Sequence, residues 1–376
     1  MGVDLDLSAD QELLRETTHK FLTAMWPTSA LRDVMDGPLG FDRRIWAQGA
    51  ELGWTSMLVP EAFGGGSVSG EAVCDLGLIA QELGRFLVAG PVLPTNIVAY
   101  ALARSGPDEM AGPHLHAIAA GREIATWAVA EEPNGWLAEY GAVCASHSEG
   151  SYRLTGLKTP VQDAHVADIF LVTARTSGGF TQFLIPADAP GLTVKPLEGL
   201  DLSRRFGRVR FENVEVSRDA VVGRVDGAES DIEAQMALAL ALQCAETIGS
   251  TDRMYEVLLE YLRDRKSFGR PIGSYQAIKH RLVDMLLWLE SAKAATVASL
   301  KAVQSELDAM SMACIAKSYV ADRCPVILRE CLQLHGGIGY TWEHDLHLYL
   351  RRVETNAAIY GGADYHRDRL AATIGL

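Results

Sequence analysis

The sequence predicts an α+β protein in three consecutive parts: an all-α N-terminal domain over residues 1–121, an antiparallel β domain over 122–228 and a C-terminal four-helix bundle over 229–376. Two changes in apolar spacing predict it. The pattern passes from helical period to short extended runs near Glu123, and back to helical period near Ser230. Length supports the division, because 376 residues exceed what one growing core accommodates.

In the first part, Ser8 is a natural N-cap for a helix through Glu12, Leu13, Leu14 and Phe21, and Glu71 to Phe86 repeats the 3.6 spacing. Gly64-Gly65-Gly66 breaks the part into pieces, since consecutive glycines do not hold a helix. The second part carries β-prone runs at Glu123 to Val129, Ile169 to Thr173, Phe180 to Ile185 and Val209 to Phe211, separated by Gly, Pro, Asp and Ser. The third has long helical segments at about 230–264, 273–304 and 307–334, then a shorter one after Glu343, which suits a bundle. No βαβ unit carries a GxGxxG turn, so any dinucleotide binds by other means than a Rossmann fold.

Composition narrows the function. Apolar residues make up 48% and charged residues 22%, with no low-complexity tract, as in an ordinary folded protein. A net charge of −14 argues against nucleic acid or an anionic membrane as the main partner. No run reaches the roughly 18 apolar residues of a membrane span, and the start lacks the marks of a signal peptide, so a soluble, cytoplasmic protein is expected. Cys74, Cys144, Cys244, Cys314, Cys324 and Cys331 form no CxxC pair and read as reduced core residues. His344 and His347 stand three apart behind Glu343 without a third ligand at metal spacing, so no metal site is expected.

Four segments resemble the acyl-CoA dehydrogenase family, in order and over essentially the whole length. They are Glu51-Leu-Gly-Trp-Thr-Ser-Met-Leu-Val-Pro-Glu-Ala-Phe-Gly-Gly65; Leu154-Thr-Gly-Leu-Lys158 with Val166 to Arg175; Arg265-Lys-Ser-Phe-Gly-Arg-Pro-Ile-Gly-Ser-Tyr-Gln276; and Gln333-Leu-His-Gly-Gly-Ile-Gly-Tyr340. The resemblance implies FAD as cofactor, an acyl-CoA substrate, a place in fatty acid or lipid metabolism, and an oligomer in which the last two segments hold a neighbouring subunit's FAD. Arg265 lies where a helix gives way to Phe268-Gly269 and offers a bidentate fork to a pyrophosphate. Gly336 and Gly337 let backbone approach the cofactor, Gln276 and Gln333 supply neutral hydrogen bonds, and Phe268 packs under the adenosine end.

The family removes an α-proton from the thioester with a glutamate, which this chain lacks in both usual places. Counted from Gln333, one position falls on Tyr360; counted back from Gly249, the other falls on Ala239. Glu246, the nearest acid on that helix, is seven residues on and about 10 Å along the axis, where a buried structural hydrogen bond is its other reading. The flavin-contacting Thr-Glu-Pro and Gly-Ser-Asp read here Glu131-Glu132-Pro133-Asn134-Gly135-Trp136, and the Trp-Ile-Thr over the flavin ring reads Pro160-Val161-Gln162. Several readings stay open. The chain is a base-lacking subunit of a heteromeric acyl-CoA dehydrogenase, or a self-sufficient homo-oligomer using Tyr360, Glu246 or Asp364 as an unusual group, or a flavin monooxygenase of the same fold, or a cofactor-free binding protein.

Overall fold

The computed structural model of the chain describes residues 6–132, 136, 141–148, 150–373 and 375. Ser8 opens the first helix by a reciprocal cap: its hydroxyl accepts from Gln11 N at 3.2 Å, and the Gln11 side chain accepts from Ser8 N at 3.2 Å. Helix α1 (Ala9–Met25) is followed by α2 (Thr28–Asp36), α3 (Arg43–Glu51), α4 (Ala72–Arg85), α5 (Val92–Ser105) and α6 (Asp108–Ala119). Between α3 and α4 the glycine run leaves only a single 3-10 turn at Glu61–Phe63.

The middle part holds β1 (Ala125–Ala128), β2 (Cys144–Ser148), β3 (Ser151–Gln162), β4 (Ile169–Arg175), β5 (Phe180–Pro186), β6 (Leu192–Leu197), β7 (Phe206–Ser217) and β8 (Val221–Val222). Its sheet has the order β6-β7-β3-β2-β4-β5-β8, with β1 added beside β4. Most neighbours are antiparallel, which the sequence predicts, but β1 runs parallel to β4 with Ala125 opposite Ile169 and Ala128 opposite Val172, and β2 also meets β4 in parallel at Cys144 and Arg175. The antiparallel reading needs that correction. The chain reverses into β3 and again out of it, which restores the original direction by β4. β1 and most of β4 are buried on both faces, since α5 packs over β1.

Helices α7 (Glu229–Asp264), α8 (Gln276–Ser305) and α9 (Ala309–His335) run up, down and up, so the end of α7, the start of α8 and the end of α9 meet at one end of the bundle. A two-stranded hairpin, β9 (Lys266–Ser267) and β10 (Arg270–Pro271), connects the first two. The fourth segment departs from the sequence reading. It is two helices, α10 (Leu346–Ala358) and α11 (Ala363–Thr373), because Tyr360 at φ 62° and Gly361 at φ 99° cannot continue a right-handed helix.

Helices α4 and α7 cross at backbone contact. A Cβ on Gly84 would lie 1.9 Å from Glu246 O, and one on Gly249 would lie 1.8 Å from Gln81 O, so both positions exclude a side chain. Ser250 seals the crossing by donating to Gly84 O at 2.8 Å. Five of the six free cysteines are buried, whereas Cys144 on β2 is exposed and does not fit the core reading. Among the described residues, no helix is long and apolar enough to cross a membrane.

Candidate functional site

Arg265 is the residue at which α7 stops, and its exposed guanidinium meets no carboxylate or carbonyl among the described residues. Three positions on, Phe268 is 95% exposed. It shares a two-residue turn with Gly269, at φ 51° and 82°, the pair of positive values that a tight hairpin needs. Gln276 is the first residue of α8 and Gln333 lies in the last turn of α9; both are exposed, with side-chain amides unpaired among the described residues. Helix α9 ends on Gly336 at φ 66° and ψ −142°, and a Cβ at Gly336 or Gly337 would meet nothing within 4 Å. The bundle topology thus brings all six sequence-predicted cofactor residues to one end and leaves them open.

That end is cross-braced. Tyr261 on α7 stacks on His335 of α9 with centroids 4.8 Å apart and donates its hydroxyl to His335 O at 3.1 Å. Arg281 of α8 pairs with Glu330 of α9.

Tyr360 lies elsewhere, between the bundle and the sheet. Its ring centroid is 5.7 Å from Trp127 of β1 and 6.1 Å from Trp136. Burial pushes its hydroxyl up to about 12, only partly opposed by the Arg204 charge and reinforced by Asp163. Two residues absent from the sequence reading hold the turn that carries it. Lys317, buried on α9, donates to Ile359 O at 2.9 Å and also to Asn356 O and Gln243 Oε1, which occupies the open carbonyls at the end of α10. His366 of α11 donates from Nε2 to Tyr360 O at 2.9 Å, which leaves Nδ1 as the acceptor 3.3 Å from Cys314 Sγ. Lys317 had one signal, a lone lysine within an apolar helical run.

Glu246 is 2% exposed and fully engaged. Oε1 accepts from Arg204 Nη2 at 2.5 Å and Arg352 Nη1 at 2.9 Å, and Oε2 accepts from Asn356 Nδ2 at 2.8 Å. Burial pushes its pKa up, but Arg204 and Arg352 outweigh burial and hold it below the ordinary glutamate range. Arg352 also reaches Asp201 at 2.5 Å, so this network ties the loop after β6 to α7 and α10. Among the described residues Glu246 and Tyr360 share no hydrogen bond, and Asp364 is paired with Arg367 at 2.8 Å on the outside of α11.

Among the described residues of the segments that depart from the family, Glu131, Val161 and Gln162 are buried, Trp136 and Pro160 are partly buried, and Glu132 is exposed. Glu131 is 4% exposed, meets Lys158 Nζ at 2.5 Å and accepts from Ala142 N at 2.6 Å and Val143 N at 3.1 Å. Val161 and Gln162 are buried, and Gln162 donates to Asp163 Oδ2 at 3.0 Å. Pro133, Asn134 and Gly135 lie outside the described residues. Burial pushes the Asp163 carboxyl above its ordinary range, against the pull of Gln162 and Arg204. His344 accepts from Leu346 N at 3.1 Å and His347 stacks on Trp342 at 4.6 Å.

Family models for the acyl-CoA dehydrogenase N-terminal, middle and C-terminal domains match residues 8–122, 126–214 and 226–375. The chain belongs to the acyl-CoA dehydrogenase family. Acyl-CoA dehydrogenases are FAD-dependent oxidoreductases acting on CH–CH groups. This chain is 30% identical to acyl-CoA dehydrogenase IpdE2 of Mycobacterium tuberculosis, over 93% of its own length and 92% of the relative's. It superposes on the ChsE4-ChsE5 complex from Mycobacterium tuberculosis with a TM-score of 0.89 at 26% identity, covering 99% of both chains. It also superposes on the Tcur3481-Tcur3483 steroid ACAD G363A variant with a TM-score of 0.89 at 26% identity, covering 97% of both chains. In this acyl-CoA dehydrogenase the bundle end around Arg265 and Phe268 is exposed, whereas Glu131, Val161 and Gln162 of the sheet part are buried.

Proposed function

We propose that this chain is the base-lacking subunit of a heteromeric FAD-dependent acyl-CoA dehydrogenase, and that it completes a flavin site held mainly by a related subunit. One observation carries the reading. The six residues that would serve a neighbour's FAD (Arg265, Phe268, Gln276, Gln333, Gly336 and Gly337) are exposed, whereas on the segments that would hold this chain's own flavin Glu131, Val161 and Gln162 are buried, Glu131 and Gln162 are bonded internally, and Glu132 is exposed. The Phe268 ring leaves apolar area in water with no internal return, while the hydrated, unpaired Arg265 guanidinium and the open glycines leave donors and space free for a ligand. They fit the diphosphate and adenosine parts of FAD in charge, shape and hydrogen bonding.

In such an assembly FAD supplies hydride acceptance at the flavin when it is bound. This chain's part is to clamp the far end of the cofactor, with Arg265 on phosphate, Phe268 against adenosine and the two glutamines beside them. Tyr360 is a weak proton acceptor, because its hydroxyl stays protonated at neutral pH. Glu246 has no free oxygen for a substrate proton. Residues 1–121, 122–228 and 229–376 are the three units of the subunit. Six free cysteines suit a reducing compartment, and we place the chain in the cytoplasm.

The similar ChsE4-ChsE5 complex and Tcur3481-Tcur3483 steroid ACAD each join two named components, so acyl thioesters with a steroid nucleus belong in the substrate panel. The test is to express the chain alone and with a glutamate-bearing acyl-CoA dehydrogenase encoded beside it, then to compare flavin content and acyl-CoA oxidation. Activity only in the joint preparation is expected. Full activity and one FAD per chain from the chain alone would favour the self-sufficient enzyme.

A further inference from the structure

Phe268 is hard to present by itself. A bulky side chain at positive φ is strained, a ring 95% exposed gains nothing from packing, and the hairpin beneath it has only two paired positions on each strand. A two-stranded ribbon of that length is not stable alone in water, so something in the chain must fix it.

Among the described residues, the side-chain contacts that fix it come from the turn that starts α8. Tyr275 donates its hydroxyl to Ser267 O at 2.9 Å, directly before Phe268. On the other strand, the Arg270 guanidinium lies 4.0 Å from the centroid of the Tyr275 ring, directly after Gly269. One tyrosine therefore grips both flanks of the Phe268-Gly269 turn, by hydrogen bond on one side and by its ring face on the other. Ile272 N donates to Arg265 O at 2.8 Å, and Ser274 donates to Pro271 O at 2.6 Å, so the grip extends to the backbone of Arg265. Tyr275 is itself the N-cap residue of α8, anchored by the helix that Gln276 begins.

We propose that Tyr275 is a positioning residue for cofactor binding: it holds the hairpin so that Arg265 and Phe268 meet FAD in one fixed arrangement. The proposal rests on the reading that this hairpin contacts FAD. Tyr275 does not touch the cofactor in this assignment. It removes the ordering cost that a loose hairpin would otherwise impose on binding.

Two variants separate its contacts. Tyr275→Phe deletes the hydrogen bond to Ser267 O and keeps the ring under Arg270, whereas Tyr275→Leu deletes both. The measurement is FAD release from the purified flavoprotein assembly, followed by the gain in free-flavin fluorescence, with Arg265→Ala as the control for the underlying reading. The melting midpoint of each FAD-free chain and trypsin cleavage after Lys266 are read in parallel.

Tyr275→Phe is expected to weaken FAD about threefold and Tyr275→Leu about tenfold, the steps of one neutral hydrogen bond and then one added cation–π contact. Trypsin cleavage at the hairpin should rise in the same order, with the melting midpoint nearly unchanged. If Arg265→Ala weakens FAD but neither Tyr275 variant does, the positioning role is overturned while the FAD reading stands. If the Tyr275 variants lower the melting midpoint and leave FAD release from the folded protein unchanged, Tyr275 is a fold residue only and the proposal fails. If Arg265→Ala is also silent, the hairpin is not a cofactor contact and both readings fall together.

Discussion

Glu246 and Arg352 are buried partners: Oε1 of the glutamate accepts from Nη1 of the arginine at 2.9 Å, and the arginine is 0% exposed. Arg204 adds a second guanidinium on the same oxygen at 2.5 Å. Removing one side of such a network leaves buried charge uncompensated, a cost of about 3–5 kcal/mol. Glu246→Gln is therefore expected to destabilise the chain by roughly that amount in urea unfolding, with FAD binding of the folded protein retained. A Glu246→Gln variant of normal stability but without acyl-CoA oxidation would instead assign the glutamate to proton abstraction.

Arg265→Ala removes a charge-assisted contact of about 1.5–3 kcal/mol and is expected to weaken FAD about 10- to 100-fold. Arg265→Lys should recover part of the loss, because a point charge lacks the planar fork. Equilibrium dialysis against FAD checks both, and equal retention by wild type and the two variants would remove Arg265 from the site.

Tyr360 occupies the counted base position yet packs against Trp127 with its hydroxyl pushed up to about 12. Little acyl-CoA oxidation by the isolated chain is expected, and Tyr360→Phe should leave the rate of the heteromeric assembly within about twofold. Rapid turnover by the chain alone with an artificial acceptor, lost in Tyr360→Phe, would show the phenol acting as the base.

His366 gives the fold a distinct acid sensitivity. It is 1% exposed, and burial, helped by the Lys317 charge, pulls its pKa down to about 4. Between about pH 6.5 and 4 the unfolded chain binds a proton at this histidine and the folded chain does not. Stability is thus full above about pH 6.5 and falls as pH drops toward 4, by on the order of 3 kcal/mol across the window. Glu246 and Asp201, held low by arginines after burial is outweighed, lose their contribution only below the ordinary carboxylate range. Urea midpoints from pH 6.5 to 4.5 should fall in wild type and stay flatter in His366→Gln. Equal slopes would place the acid loss elsewhere.

The three-part fold was legible because period is a local signal. Ser8 and Gln11 form their cap within four residues, and the apolar spacing of α7, α8 and α9 follows from the faces they bury. The parallel placement of β1 beside β4 was not legible, since it depends on how many times the intervening chain reverses. The split between α10 and α11 turns on one non-glycine residue at positive φ, Tyr360, whose conformation is fixed by Lys317 and His366 from two other helices. Arg265, Phe268 and Gly336 could be singled out because their motifs are contiguous. Arg204, Arg352 and Asn356 around Glu246 come together only through tertiary packing, and nothing in their local sequence marks them.

The most direct test of a base-lacking partner subunit is flavin stoichiometry in a purified co-complex with a glutamate-bearing relative. Size exclusion with light scattering gives the subunit ratio, and flavin absorbance against total protein gives FAD per chain. One FAD per heterodimer, with acyl-CoA oxidation that disappears when either subunit is omitted, is the expected result. A stable homo-oligomer of this chain that holds one FAD per subunit and desaturates an acyl-CoA unaided would contradict it.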